Sequence, residues 1–186
     1  ISMQKVFLNG DFIDKDSAKI SIFDRGFIFG DGIYEVVPVI NGVMVEKQGF
    51  WDRFKRSLSE IDLSLPYSKD EFENILNELI KINSLNEGGI YIQITRGIAQ
   101  RDFSFVSGIK PTVMAFAFSD SVLEHPGAKS GITIISTPDI RWKRRDIKSI
   151  SLLGQCYAKN QATIAGADEC FMIEDGYVTE AGSSSA

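Results

Sequence analysis

Lys148 stands in the stretch RWKRRDIKSISLLGQ, residues 141–155. Arg141, Lys143, Arg144 and Arg145 precede it, and Ile147, Ile150, Leu152 and Leu153 surround it in the chain. Positive neighbours and partial burial both disfavour an ammonium ion, while Asp146 acts in the opposite sense. A lysine amine held neutral attacks carbonyl carbon, which is what Schiff-base chemistry requires. The same residues also suit a solvated basic strand end or a phosphate-facing patch, and the local sequence leaves these open.

Other stretches carry weaker signals. In FIFGDGIYEVV, residues 27–37, Gly30 and Gly32 bracket Asp31 ahead of an alternating run that begins at Tyr34. Glycines there permit a tight turn or the close approach of backbone to a ligand. Tyr34 suits a half-buried strand position equally well. In RGIAQRDFSF, residues 96–105, Arg96 and Arg101 could clamp a carboxylate bidentately or remain solvated. Arg53 falls on an amphipathic helical pattern, where exposure is the ordinary fate of an arginine. In VTEAGSSSA, residues 178–186, Glu180 precedes small hydroxyl residues whose backbone N–H groups suit an anion.

Composition narrows the classes. A 44% hydrophobic chain of 186 residues can build a real core, with 13 Phe to fill it. The formal charge of −5 lacks the basic excess of a general nucleic-acid binder. No apolar run reaches the roughly 20 residues that span a bilayer, and the first residues lack a secretory pattern. The expectation is a cytoplasmic protein without nucleic-acid or membrane partners. His125 is the one histidine and lies in the turn-rich LEHPGAKSG. With Cys156 and Cys170 apart in the chain, neither a disulfide framework nor a zinc site is expected. Proton transfer then falls to Lys, Tyr, Asp or Glu. Ile1 and Ser2 precede Met3, and the chain stops at TEAGSSSA, which suggests a piece of a longer protein.

The elements that would position these residues are legible as patterns. Asn9-Gly10, Asn41-Gly42 and Asp175-Gly176 each sit between apolar runs and predict hairpins. Residues 50–62 place Trp51, Phe54, Leu58 and Ile61 on one helical face, and residues 69–83 do the same with Phe72, Ile75, Leu76 and Leu79 after a Ser68 N-cap. GGIYIQITRG, PTVMAFAFS and ITIIST read as strands, and Leu152 to about Ala165 as a helix. The expected fold class is α+β, an antiparallel sheet with helices on one side. The expected organisation is an N-terminal α+β domain over 1–119, a linker over 120–130, and an incomplete second domain over 131–186 carrying Lys148 and Glu180.

FGDGIYEVV, RRDIKSISLLG and VTEAGSSSA, in that order, resemble the class IV pyridoxal-phosphate (PLP) aminotransferases, and within them the D-amino-acid enzymes. FWDRF and GGIYIQITRG add to the likeness, which covers nearly the whole chain. The resemblance implies a two-domain fold, a homodimer, and transfer of an amino group from an amino acid to a 2-oxo acid. It implies that Lys148 is the Schiff-base lysine and proton carrier, and that Glu180 pairs with the pyridine nitrogen. It implies that Arg53 holds the phosphate, that Ser183, Ser184 and Ser185 form the loop beside ring and phosphate, and that Tyr34 and Arg101 meet the substrate carboxylate, Arg101 from the neighbouring subunit. One departure stands out: Phe103 occupies the place of the histidine that D-amino-acid enzymes carry two residues after that arginine. Branched-chain L-amino-acid transamination and aminodeoxychorismate lysis are alternatives within the family. A non-catalytic α+β binding module is the alternative outside it.

Overall fold

The computed structural model describes residues 5–186. Strands β1 (Lys5–Leu8) and β2 (Asp11–Asp14) pair through Asn9-Gly10, with φ of 50° and 106°. Strands β3 (Gly32–Ile40) and β4 (Val43–Met44) pair through Asn41-Gly42, with φ of 52° and 73°. Asn-Gly accepts the left-handed backbone that such short turns need. Before β3, Arg25–Phe29 forms a short helix, α1, where the sequence pattern predicts no element. The Asp24 carboxylate caps it by accepting from Gly26 N–H, and Gly30 ends it with φ 67°. Five residues are too few for a helical period to register.

Helix α2 (Lys47–Glu60) and helix α3 (Lys69–Ile82) follow. A reciprocal capping box starts α3: Ser68 Oγ accepts from Glu71 N–H while the Glu71 carboxylate accepts from Ser68 N–H. Strands β5 (Gly88–Thr95) and β6 (Thr112–Ser119) complete an antiparallel sheet of order β2-β1-β6-β5-β3-β4. Period-two alternation sorts its faces. Ile33, Val37 and Val39 of β3, Ile90, Ile92 and Ile94 of β5, and Val113, Ala115 and Ala117 of β6 are buried with Phe54, Leu58, Phe72, Leu76 and Leu79 of the two helices. The opposite face carries Tyr34, Tyr91 and Phe116, stacked at centroid distances of 5.6 and 4.9 Å.

The chain divides into two compact units. The first runs to Leu123 and takes in Asp146–Ile150; the second comprises Glu124–Arg145 and Ser151–Ala186. The return of 146–150 differs from the sequence expectation, which assigns Lys148, with Glu180, to the second part. The reason is a free strand edge. Strand β4 pairs only with Val39 and Ile40, leaving the start of β3 open. There Tyr34 N–H donates to Lys148 O at 2.9 Å, Ile150 N–H donates to Gly32 O at 3.1 Å, and Ile147 enters the core.

In the second unit the expected linker contains one short helical turn, α4 (Gly127–Ser130). Strands β7 (Ile134–Pro138) and β8 (Glu169–Glu174) pair in parallel, with helix α5 (Leu153–Ile164) between them in sequence. Strand β9 (Tyr177–Ala181) returns antiparallel to β8 through Asp175-Gly176. Ala158 and Ala162 of α5 pack with Cys170 and Met172 of β8. Among the described residues no helix is long and apolar enough to cross a membrane.

Candidate active site

Lys148 is half-buried on the edge of β3, and its Nζ stands 4.5 Å from the centre of the Tyr34 ring. Its backbone is held from two sides: its O accepts from Tyr34 N–H, and its N–H donates to Ser57 Oγ on α2 at 3.1 Å. Among the described residues the amine makes no ion pair. One turn before Ser57, Arg53 projects its guanidinium onto Glu35. Arg53 Nε and Nη2 donate to the two carboxylate oxygens at 2.6 and 2.7 Å. This fork is bidentate and charge-assisted. Hydrogen bonding to Glu35 raises the Arg53 pKa, although burial acts against it. Glu35 is fully buried, while the Arg53 side chain keeps 47% of its exposure. Its Nη1 therefore remains available to another anion. Tyr34, Arg53 and Lys148 thus share one neighbourhood in the first unit.

Glu35 is not among the sequence candidates. Its signal is nonetheless present: an acidic residue at an inward position of an alternating strand, in register with Ile33 and Val37. Tyr91 escapes for a different reason, since nothing local marks it. It stacks on Tyr34, its OH donates to Gln93 Oε1 at 2.8 Å, and burial, with a lesser contribution from Tyr34, pushes its phenol up to about 12.

Arg96 and Arg101 part company. Arg96 is buried and serves Asp31, whose carboxylate it meets with Nε at 2.8 Å and Nη2 at 3.1 Å. It is not a free carboxylate clamp. Arg101 is exposed on the loop after β5, its guanidinium 5.5 Å from the Phe29 ring centre and 5.0 Å from that of Phe103. A pocket of about 330 Å³ elsewhere in this unit is lined by Trp51, Leu65, Tyr67 and Lys69 among others, and holds none of the expected site residues.

In the second unit, Glu180 on β9 is half-buried and its Oε1 accepts from the N–H groups of Ala181 and Ala186 at 3.0 and 3.1 Å. Ser183 and Ser184, both exposed, gather on one carboxylate. The hydroxyls donate to Glu169 Oε2 at 2.6 and 3.0 Å, and Ser183 N–H joins them at 3.2 Å. Burial would raise the Glu169 pKa, but these bonds and one from Cys170 N–H outweigh it and hold the carboxyl at about 2. Ser185 is exposed. The basic run before Lys148 has structural employment. Arg141 donates to the buried Asp139 carboxylate, Arg145 Nη1 lies 3.3 Å from it, and Arg145 also pairs with Glu174 at 2.6 Å. Burial acts to raise the Asp139 pKa, yet the bonds from Arg141 and Thr179 hold it far below the usual carboxylate range.

The first unit thus brings together a half-buried lysine on a strand edge, an arginine oriented by a buried carboxylate and a tyrosine ring beside the amine. The class IV aminotransferase family model matches residues 32–186, and the chain belongs to that family. It is 45% identical over 183 residues to a D-alanine aminotransferase of Staphylococcus haemolyticus, covering 98% of this chain and 64% of that protein. Its fold matches a branched-chain amino acid aminotransferase of Escherichia coli with a TM-score of 0.87 at 18% identity, over 97% of this chain and 63% of the other. It also matches a branched-chain aminotransferase of Thermoproteus uzoniensis with norvaline, with a TM-score of 0.76 at 23% identity, over 96% and 63% of the two chains. A further branched-chain amino acid aminotransferase, solved with pyridoxamine 5'-phosphate, matches with a TM-score of 0.84 at 20% identity, over 98% and 63% of the two chains. The chain spans less than two thirds of the length of these relatives.

Proposed function

We propose that the protein is a PLP-dependent transaminase that moves the amino group of a D-amino acid, D-alanine first among them, to a 2-oxo acid. The observation that carries this is the Lys148 amine over Tyr34, without an ion pair among the described residues and one strand edge away from the Arg53–Glu35 fork. The residues fit the cofactor: a primary amine for its aldehyde, and a guanidinium with donors to spare for its phosphate. When bound, PLP supplies an electron sink for the pair left when the substrate α-carbon loses its proton.

The chain's own groups have distinct tasks. Lys148 Nζ carries the proton away from the substrate α-carbon and delivers it elsewhere. Arg53 binds phosphate with the N–H groups that Glu35 does not use, and Glu35 sets its orientation. Glu180 keeps the pyridine nitrogen protonated. Ser183, Ser184 and Ser185 lie beside ring and phosphate, with Glu169 ordering the first two. Tyr34 and Arg101 receive the substrate carboxylate, Arg101 from the second subunit of a homodimer. The apolar side chains of Phe27, Ile98 and Phe103 are all more than half exposed, which supports cover by a second copy. Cytoplasmic residence accords with this chemistry.

Phe103 favours a second reading. An apolar ring cannot donate to a carboxylate, so a branched-chain L-amino acid is the competing substrate. Supplying the PLP-loaded protein with D-alanine or L-leucine and a 2-oxo acid distinguishes the two. Turnover of D-alanine alone supports the first reading; turnover of L-leucine alone replaces it with the second.

A further inference from the structure

The first unit contains a charged cluster that the proposed chemistry does not use. Asp31, between Gly30 and Gly32, accepts from Arg25 Nε at 2.7 Å and from Arg96 Nε at 2.8 Å on one oxygen, and from Arg96 Nη2 at 3.1 Å on the other. The three side chains are 6%, 2% and 5% exposed in the order Asp31, Arg25, Arg96. Two guanidiniums facing one carboxylate leave N–H donors over, and these reach backbone carbonyls. Arg96 donates to Ile61 O at 2.6 Å and Asp62 O at 3.2 Å, where α2 ends. Arg25 Nη1 donates to Asp102 O, the carbonyl between Arg101 and Phe103.

The aromatic residues extend the same construction. Arg25 lies 4.7 Å from the centre of the Phe29 ring, and Arg101 lies 5.5 Å from it. Phe29 and Phe103 pack at 5.3 Å, and the Arg96 guanidinium covers Phe105 at 3.8 Å. The loop over 98–105 is otherwise exposed, and Gly97 leads into it with φ 104°. Ala99 N–H, donating to Phe23 O at 3.3 Å, holds its start, and beyond it the loop rests on the buried arginines and Phe29 beneath it. We propose that Asp31, gripped by Arg25 and Arg96, is a positioning residue that fixes this loop, and that Phe103 serves there as the ring against which the Arg101 guanidinium rests. The inference rests on the reading of Arg101 as the carboxylate-binding residue. It assigns Phe103 a holding role in place of a hydrogen bond.

Two readouts test it in the PLP-loaded protein. In Arg25→Lys, which keeps the charge and loses the fork, amide hydrogen exchange over 98–105 rises while that of β5 and β6 stays as in the unaltered protein. Unchanged exchange over 98–105 overturns the positioning role whatever Arg101 does. In the same variant KM for the amino acid rises about ten- to a hundredfold with kcat largely kept, the scale of a misplaced binding group. Arg101→Gln gives the companion measurement. A raised KM in Arg101→Gln with none in Arg25→Lys overturns the positioning inference alone. An unaltered KM in both overturns the reading of Arg101 and the inference with it. Where Arg25→Lys does not fold, Asp31→Asn, which keeps an acceptor toward the guanidiniums and loses the charge, is read by the same exchange and KM criteria.

Discussion

At the scale of single residues, the site is held by pairs in which one member is buried and the other reaches outward. Glu35 and Arg53 are such a pair. Replacing Arg53 by Ala would strand a buried carboxylate and cost about 3–5 kcal/mol of stability, confusing binding with folding. Glu35→Gln is the cleaner change, because a neutral amide remains a hydrogen-bond partner. It lowers affinity for PLP by about tenfold, the scale for partners that orient a ligating group, as read by fluorescence titration. An affinity equal to that of the unaltered protein contradicts the orienting role. Glu169 makes a pH-dependent contribution of definite sign. Its carboxyl titrates at about 2 in the folded chain against an ordinary 4.5, so the stabilisation is complete above 4.5 and is lost as pH falls toward 2. Urea unfolding of Glu169→Gln should show less loss of stability than the unaltered protein between those limits; an equal loss contradicts the contribution. Lys148 is visible in the sequence as a reactive candidate. Glu169 is not, because its partners Ser183 and Ser184 lie on a loop beyond β9, and only pairing of β8 with β9 brings them together.

At the scale of elements, two local devices set the framework. The Ser68–Glu71 capping box satisfies the first turn of α3, and Ser68→Ala should cost about 1 kcal/mol in chemical denaturation with no change in cofactor binding. Gly97 is stricter. A Cβ there would meet Lys110 O at 2.0 Å, a backbone atom, in a left-handed conformation. Gly97→Ala should lower the thermal midpoint far more than Ser68→Ala, and equal midpoints would contradict this packing. Hairpins and amphipathic helices are legible because turn chemistry and apolar period lie within a few residues. Helix α1 is too short to carry a period. The pairing of Lys148–Ile150 with β3 is hidden because a free strand edge is a property of the sheet, here of a β4 that stops early.

At the scale of the whole molecule, Tyr34, Arg53 and Lys148 belong to one unit, and Glu180 and Ser183–Ser185 to the other. The division is only partly readable from composition. Turn formers mark the neighbourhood of 120–130, yet residues 146–150 rejoin the first unit through hydrogen bonds that no local pattern announces. If a second copy covers the apolar side chains near α1, Phe27→Glu should shift the protein from dimer to monomer in sedimentation. A dimer of unaltered stability would place the interface elsewhere. The central claim concerns one amine. Reduction of the PLP-treated protein with borohydride, followed by peptide mass spectrometry, should place a phosphopyridoxyl group on Lys148, and a label on another lysine, or none retained at all, would contradict it.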